Sequence, residues 1–366
     1  MSHTKKRVIS LYPGIRNFQI ITIIVILTFT GFIGLFLAKT PEAYAKNIIL
    51  FIGDGMGPEQ VRAAGYYRHN HPNSLSFERF SFRTTIATDA ADNPVTDSAA
   101  GATAMATGQR VNVGVLSQAI PGNGRDYETI LEHMAKQGKM TGLITTVPIS
   151  HATPAAFASH QPSRKNSAGI IQNYFENSRP DLLMGVKGEE IPVQTIEKAG
   201  YTYITSIDTL PEPDPNNGPI LARFEEVPKL KDLTQFALSY LQHDTNGFFL
   251  MIEAGRIDWA AHNHDTKKMI DAILDLSDAA AYAKKWAKKH EKTLILVTAD
   301  HETGGLKIDR PKGIGTLPHV TWRTHGHTNT PVGLYAWGRQ AGLIRSANHL
   351  TDIYDIIRES TDPIPR

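Results

Sequence analysis

Four short apolar runs lie far apart in this chain, and each ends within a few residues of an acid or an imidazole. Residues 47–52 lead into Gly53-Asp54-Gly55, 140–147 into His151, 247–252 into Glu253, and 293–298 into Asp300-His301. Unbroken apolar runs of this length fit strands buried on both faces, which belong to parallel sheets covered by helices on either side. A fifth run, 332–337, follows His325-Gly326-His327. Between the runs, residues 266–290 place Met269, Ile273, Leu276, Ala280, Ala283 and Ala287 on one helical face, which is a core face. The chain from 46 to 366 therefore reads as one α/β domain, a doubly wound, mostly parallel central sheet with helices on both faces. Open sheets of this kind bind ligands outside the carboxyl ends of their strands. The scattered acids and imidazoles should thus meet on one rim.

One stretch supplies a nucleophile for that rim. Thr96-Asp97-Ser98 opens an alanine-rich run that Gly108 closes. Oxygen-bearing side chains before such a run, and glycine after it, predict a short capped helix. Ser98 then lies in the first turn, where free N–H groups and the helix dipole favour an incoming anion. Its hydroxyl can attack phosphorus if its proton is removed. Taken alone, the stretch fits a plain capped helix equally well.

The other groups decide between the two. Asp258 and His262 are four residues apart and can face one metal from a single helical turn. Asp300 and His301 place an oxygen and a nitrogen side by side, and Asp54 and His327 add one more of each. The chain has no cysteine, so thiolate sites and disulfides are excluded. Asp/His sets without sulfur suit zinc with open coordination positions. Asp54, Glu253 and the Thr153 hydroxyl form an all-oxygen set that suits magnesium. Two metals can clamp the entering and leaving oxygens of an in-line phosphoryl displacement. Arg164, planar and always charged, can hold two nonbridging phosphate oxygens.

Jointly, residues 47–57, 96–108, 151–165 and 253–262, with Asp300-His301 and His327, resemble the alkaline phosphatase family in its compact bacterial form. The motifs occur in the family's order. The resemblance implies an αβα sandwich, a homodimer, and a phosphomonoesterase of broad specificity that forms a phosphoserine at Ser98. It implies one zinc ion on Asp258, His262 and His327, and a second on Asp54, Asp300 and His301. Asp54 would bridge to a magnesium site completed by Thr153 and Glu253. Arg164 would bind phosphate, oriented by Asp97. His151 stands where some members carry Asp, and Trp259 where others carry Lys or His. Trp259 cannot ligate a metal, whereas His151 can sit beside the magnesium site or bind the metal directly. His264 and His325, next to the proposed ligands, are expected to be neighbours rather than ligands.

Three competing readings are weaker on the same residues. A guanidinium on two nonbridging oxygens suits a dianionic monoester better than a diester. A sulfatase would need a cysteine, or a Pro-x-Arg sequel to Ser98, and the chain has neither. A binding protein without turnover has no use for Ser98.

The N-terminus reads separately. Lys5, Lys6, Arg7 and Arg16 precede an apolar run over 18–38, and Ala43-Tyr44-Ala45 is a small-x-small cleavage site. Residues 1–45 are expected to be a signal peptide or, failing cleavage, a membrane anchor with the body outside. This leader holds five of the 38 basic residues and one of the 36 acidic ones, leaving 33 against 35, a net charge of −2. A body without a basic excess argues against a nucleic-acid partner.

Overall fold

The computed structural model describes residues 44–214 and 218–361. The expected leader thus lies outside the described residues, apart from Tyr44 and Ala45. In chain order the larger strands are β1 (Asn47–Gly53), β2 (Phe82–Ile86), β3 (Met140–Pro148), β4 (Leu182–Val186), β5 (Thr202–Ile204), β6 (Ile220–Phe224), β7 (Phe248–Ala254) and β8 (Thr293–Thr298). Four short ones follow, β9 (Glu302–Thr303), β10 (Lys307–Arg310), β11 (His319–Thr321) and β12 (His327–Thr328), then β13 (Val332–Gly338).

Nine strands form the central sheet in the order β2-β13-β8-β1-β7-β3-β4-β6-β5. Every pairing from β8 across to β5 is parallel, and only β13 runs against its neighbours. The mostly parallel sheet matches the expectation from the apolar runs. Isoleucines 48, 49 and 52, Leu50 and Phe51 are fully buried in β1, as a central strand covered on both faces requires. Each such side chain contributes about 1.5–3 kcal/mol of burial.

The 266–290 pattern forms a helix over Thr266–Ala287, ending three residues early with Lys288 at its C-cap. It packs on β1, β7 and β8 beside the Pro58–His69 and Leu230–Leu241 helices. The Ser98–Thr107, Ile130–Lys136, Ala152–Ala158 and Asp352–Thr361 helices pack together as a second group. Among the described residues, no helix is long and apolar enough to cross a membrane. Strands β2, β4, β5 and β6 carry no strong signal in the sequence. They are short and form the two flanks of the sheet, so tertiary pairing rather than local pattern selects them.

Candidate active site

The proposed groups do converge on the carboxyl rim of the sheet. Asp54 follows β1, Glu253 lies on β7, and Asp300 and His301 follow β8. The Arg256–His262 helix carries Asp258 and His262, and His151 caps the Ala152–Ala158 helix that holds Thr153. Ser98 is the first residue of its helix. The Asp97 carboxylate accepts the Ala100 N–H at 3.0 Å, and Gly108 closes the far end at φ 70°. This helix lies close against the end of β8: a Cβ on Gly101 would sit 2.9 Å from the Asp300 carbonyl oxygen. That close approach brings Ser98 Oγ to 3.4 Å from His301 Nε2.

Three groups of acids and imidazoles lie within reach of one another there. Asp258, His262 and His327 form one, Asp54, Asp258 and His301 a second, and Asp54, His151 and Glu253 a third, each with ligand atoms within 4.8 Å. Asp300 Oδ2 adds to the second group, 3.4 Å from His301 Nε2. Asp258 and Asp54 are each shared between two groups. His151 Nδ1 stands 3.9 Å from Glu253 Oε1 and 4.0 Å from Asp54 Oδ2, so its ring belongs directly to the third group. Arg164 Nη1 donates to Asp97 Oδ2 at 2.9 Å, and its Nη2 lies 3.4 Å from His151 Nε2. Trp259 is 41% exposed, with its ring edge-on to His151 at 6.1 Å between centroids.

The imidazoles are held so that their free nitrogens face inward. His327 Nδ1 donates to the Thr96 carbonyl at 2.9 Å, and His262 Nδ1 donates to the His325 carbonyl. His301 Nδ1 donates to Thr303 Oγ1 at 3.2 Å, and that hydroxyl in turn donates to Asp258 Oδ1 at 2.6 Å. In each ring this leaves Nε2 facing the centre of the cluster. Without metal, the Nε2 atoms of His262 and His327 lie 3.3 and 3.6 Å from Asp258 Oδ1 and can share a proton with it. A bound metal would take the lone pair once that proton is lost. These partners are absent from the sequence reading. Backbone carbonyls carry no signal there, although Thr303, two residues past His301, was a findable hydroxyl. Thr145 is a second such residue, donating to Glu253 Oε2. The His325 and His264 rings stack at 3.9 Å, and the His325 Nδ1–H returns a bond to the His262 carbonyl at 2.8 Å.

The electrostatics call for cations. Burial, reinforced by Asp300, Asp258 and Glu253, pushes the Asp54 carboxyl well above the usual carboxylate range. Burial likewise pushes Asp300 up to about 7, against the Gly55 N–H and with the charges of Asp258 and Glu253. Burial also drives His301 well below the ordinary imidazole range, assisted by His327. Asp258 goes the other way, because hydrogen bonds from His262, His327 and Thr303 outweigh its burial. At Asp97, burial is likewise outweighed, chiefly by Arg164.

Buried polar atoms normally have partners. Here Asp54 Oδ1 and Oδ2, His151 Nδ1, Thr153 Oγ1, Glu253 Oε1 and Asp300 Oδ2 have none, six of the eleven such atoms among the described residues. Oxygen and imidazole donors left bare together, in acid-rich surroundings, fit divalent metal ions.

Comparison with known proteins bears on the family and the fold. The alkaline phosphatase family model matches residues 45–195 and 216–319. Alkaline phosphatase 3 of Bacillus subtilis is 35% identical over 323 residues, covering 78% of this chain and 69% of that protein. Alkaline phosphatase 4 of the same organism is 35% identical over 297 residues and 74% of this chain, which spans 64% of that relative's length. Among solved structures, the alkaline phosphatase of the Antarctic bacterium TAB5 superposes with a TM-score of 0.78 at 26% identity, over 87% of this chain and 98% of that one. A His-to-Asp variant of the TAB5 enzyme has Mg bound in its M3 site. Sequence, fold and the acid-imidazole rim together make this chain a member of the alkaline phosphatase family.

Proposed function

We propose that the protein hydrolyses phosphate monoesters through a phosphoserine at Ser98, with two zinc ions and one magnesium ion. The observation that carries this reading is a buried hydroxyl at a helix N-terminus, 3.4 Å from His301 Nε2, beside six unpartnered donor atoms. Asp258, His262 and His327 would hold one zinc, and Asp54, Asp300 and His301 the other. Asp54, Glu253 and Thr153, with His151 beside them, would hold the magnesium ion. When bound, these ions would lower the pKa of the Ser98 hydroxyl and neutralise charge on the phosphoryl oxygens.

The chain's own groups do the rest. Arg164, fixed by Asp97, binds two nonbridging oxygens and turns the phosphorus toward Ser98. The first N–H groups of the Ser98–Thr107 helix face the same anion. Ser98 Oγ forms a bond to phosphorus as the ester P–O bond breaks and the alcohol leaves. Water then breaks the Ser98–phosphoryl bond and releases inorganic phosphate. Export, from the leader pattern of residues 1–45, and pairing as a homodimer, from the family resemblance, belong to the same proposal.

The test uses an aromatic phosphomonoester and the matching diester at alkaline pH, with and without chelator. Monoester turnover that chelator abolishes is expected, and preferential diester turnover would overturn the reading. Ser98→Ala should lower turnover by about 10³-fold or more and abolish covalent labelling by radioactive phosphate, while metal content is retained. Labelling that persists in this variant would mean that another residue is the nucleophile.

A further inference from the structure

Trp259 lines a second feature besides the metal groups. A cleft of about 550 Å³ is lined by Trp259 together with Thr146, Lys229, Arg256, Ala260 and Asp275 among others. Trp259 is the link between the cleft and the proposed phosphate-binding arginine. Arg164 lies 3.4 Å from His151, and His151 meets the Trp259 ring. Arg256 is anchored on the other wall, with its backbone N–H on Thr146 Oγ1 at 3.4 Å and its Nε on the Thr146 carbonyl at 3.2 Å.

The charges of the cleft are unevenly answered. Asp265 is paired with Lys268 at 3.0 Å, and Asp271 with Lys267 at 2.6 Å. Asp275 accepts the Leu230 N–H at 3.0 Å and has Lys229 as its nearby cation. The two terminal nitrogens of Arg256, by contrast, have neither a carboxylate nor another hydrogen-bond partner among the described residues. A fixed guanidinium with a free fork, next to an exposed indole, matches a ligand with a flat apolar body and an anionic end.

We propose that this cleft is a leaving-group subsite, in which Arg256 selects phosphate monoesters whose alcohol carries a planar ring and a second anionic group. The ring lies against Trp259 and the second anion meets Arg256 while the phosphoryl group sits at Ser98. The subsite rests on the hydrolase reading above, and Arg256 determines specificity without touching the reacting atoms. Because Arg256 is solvent-accessible, its pairing is partly screened, and the preference it confers is modest.

Two esters separate the outcomes: 4-carboxyphenyl phosphate and its neutral counterpart, 4-carbamoylphenyl phosphate. The ratio of their kcat/KM values should fall about fivefold in Arg256→Gln relative to the unaltered protein. The change should lie mainly in KM, and Arg256→Lys should restore part of it. Should Arg256→Gln fail to fold, salt gives the same readout. In the unaltered protein the ratio should drop several-fold between about 0.05 M and 0.5 M NaCl. Turnover of both esters with a ratio indifferent to Arg256 and to salt would overturn the subsite alone. Absence of turnover of either ester would overturn the hydrolase reading, and the subsite with it.

Discussion

Asp300 and Glu302 lie two residues apart, both buried, in opposite surroundings. Both oxygens of Glu302 are answered. Oε1 accepts from Gln60 Nε2 at 2.6 Å and from the Leu306 N–H at 3.3 Å, and Oε2 accepts from Thr328. Asp300 accepts the Gly55 and His301 N–H groups on Oδ1, but its Oδ2 faces Asp54, Asp258 and His301 without a partner. A carboxylate satisfied on both oxygens ties the loop together. One left half-bare among other acids lowers the stability of the metal-free fold and is justified only by a ligand. Side by side, the two show how a single loop can hold a structural acid and a functional one.

Metal loading should widen this contrast most. Zinc and magnesium well above their dissociation constants should raise the unfolding free energy by about 4 kcal/mol, a gain that chelator reverses. Thermal unfolding with and without chelator measures it, and no shift would mean that the bare oxygens hold no metal.

Next in size are two isosteric changes of opposite sign in the metal-free protein. Glu302→Gln replaces a charged acceptor by a neutral amide whose N–H₂ must turn to the Thr328 hydroxyl, and should cost about 1 kcal/mol. Asp300→Asn keeps the Oδ1 acceptor and removes one crowded charge, so it should stabilise by about 1 kcal/mol at pH 8. The pH trend gives a further check. The folded, metal-free protein keeps a proton on Asp300 up to about pH 7, whereas the unfolded chain releases it near 3.8. The folded state then binds more protons, so stability falls as pH rises from about 4 to 7. Asp300→Asn should flatten that fall, leaving the part due to Asp54. Denaturant titrations across this range decide it. Destabilisation by both substitutions would erase the distinction between the two acids.

The smallest effect is expected at an ordinary half-buried pair away from the site. His160 Nε2 meets Glu132 Oε1 at 2.8 Å. Burial opposes both charges, yet Glu132 holds His160 above its usual range, and His160 holds Glu132 below its own. The Glu132 share of the stability is present above about pH 4.5 and lost as pH falls through its lowered pKa. The His160 share is present below about pH 6.5 and lost as pH rises through its raised one. Glu132→Gln should therefore cost about 0.5–1 kcal/mol, most of it between about pH 4.5 and 6.5. A cost that did not vary with pH would show that the pair acts through packing alone.

Much of this was legible in the sequence. The runs that became β1, β3, β7 and β8 announced themselves because strands buried on both faces must be apolar throughout. Asp97 and Gly108 marked their helix because caps require particular residue types. The family's motifs singled out Asp54, Asp258 and His327. Other features left no mark: Thr303 beneath His301, the Thr96 and His325 carbonyls that set two imidazole tautomers, and the free fork of Arg256. A hydroxyl, a carbonyl or an unpaired cation has no periodicity of its own, and its role depends on what lies opposite.

Composition and local pattern were sufficient for the layered α/β plan and the identities of the reactive groups, because burial and capping act on residue types within a few positions. Only the tertiary structure decided which lone pairs face inward, which acids remain bare, and that His151 joins Asp54 and Glu253. Those outcomes depend on distances between segments up to about 250 residues apart, and no local rule constrains them.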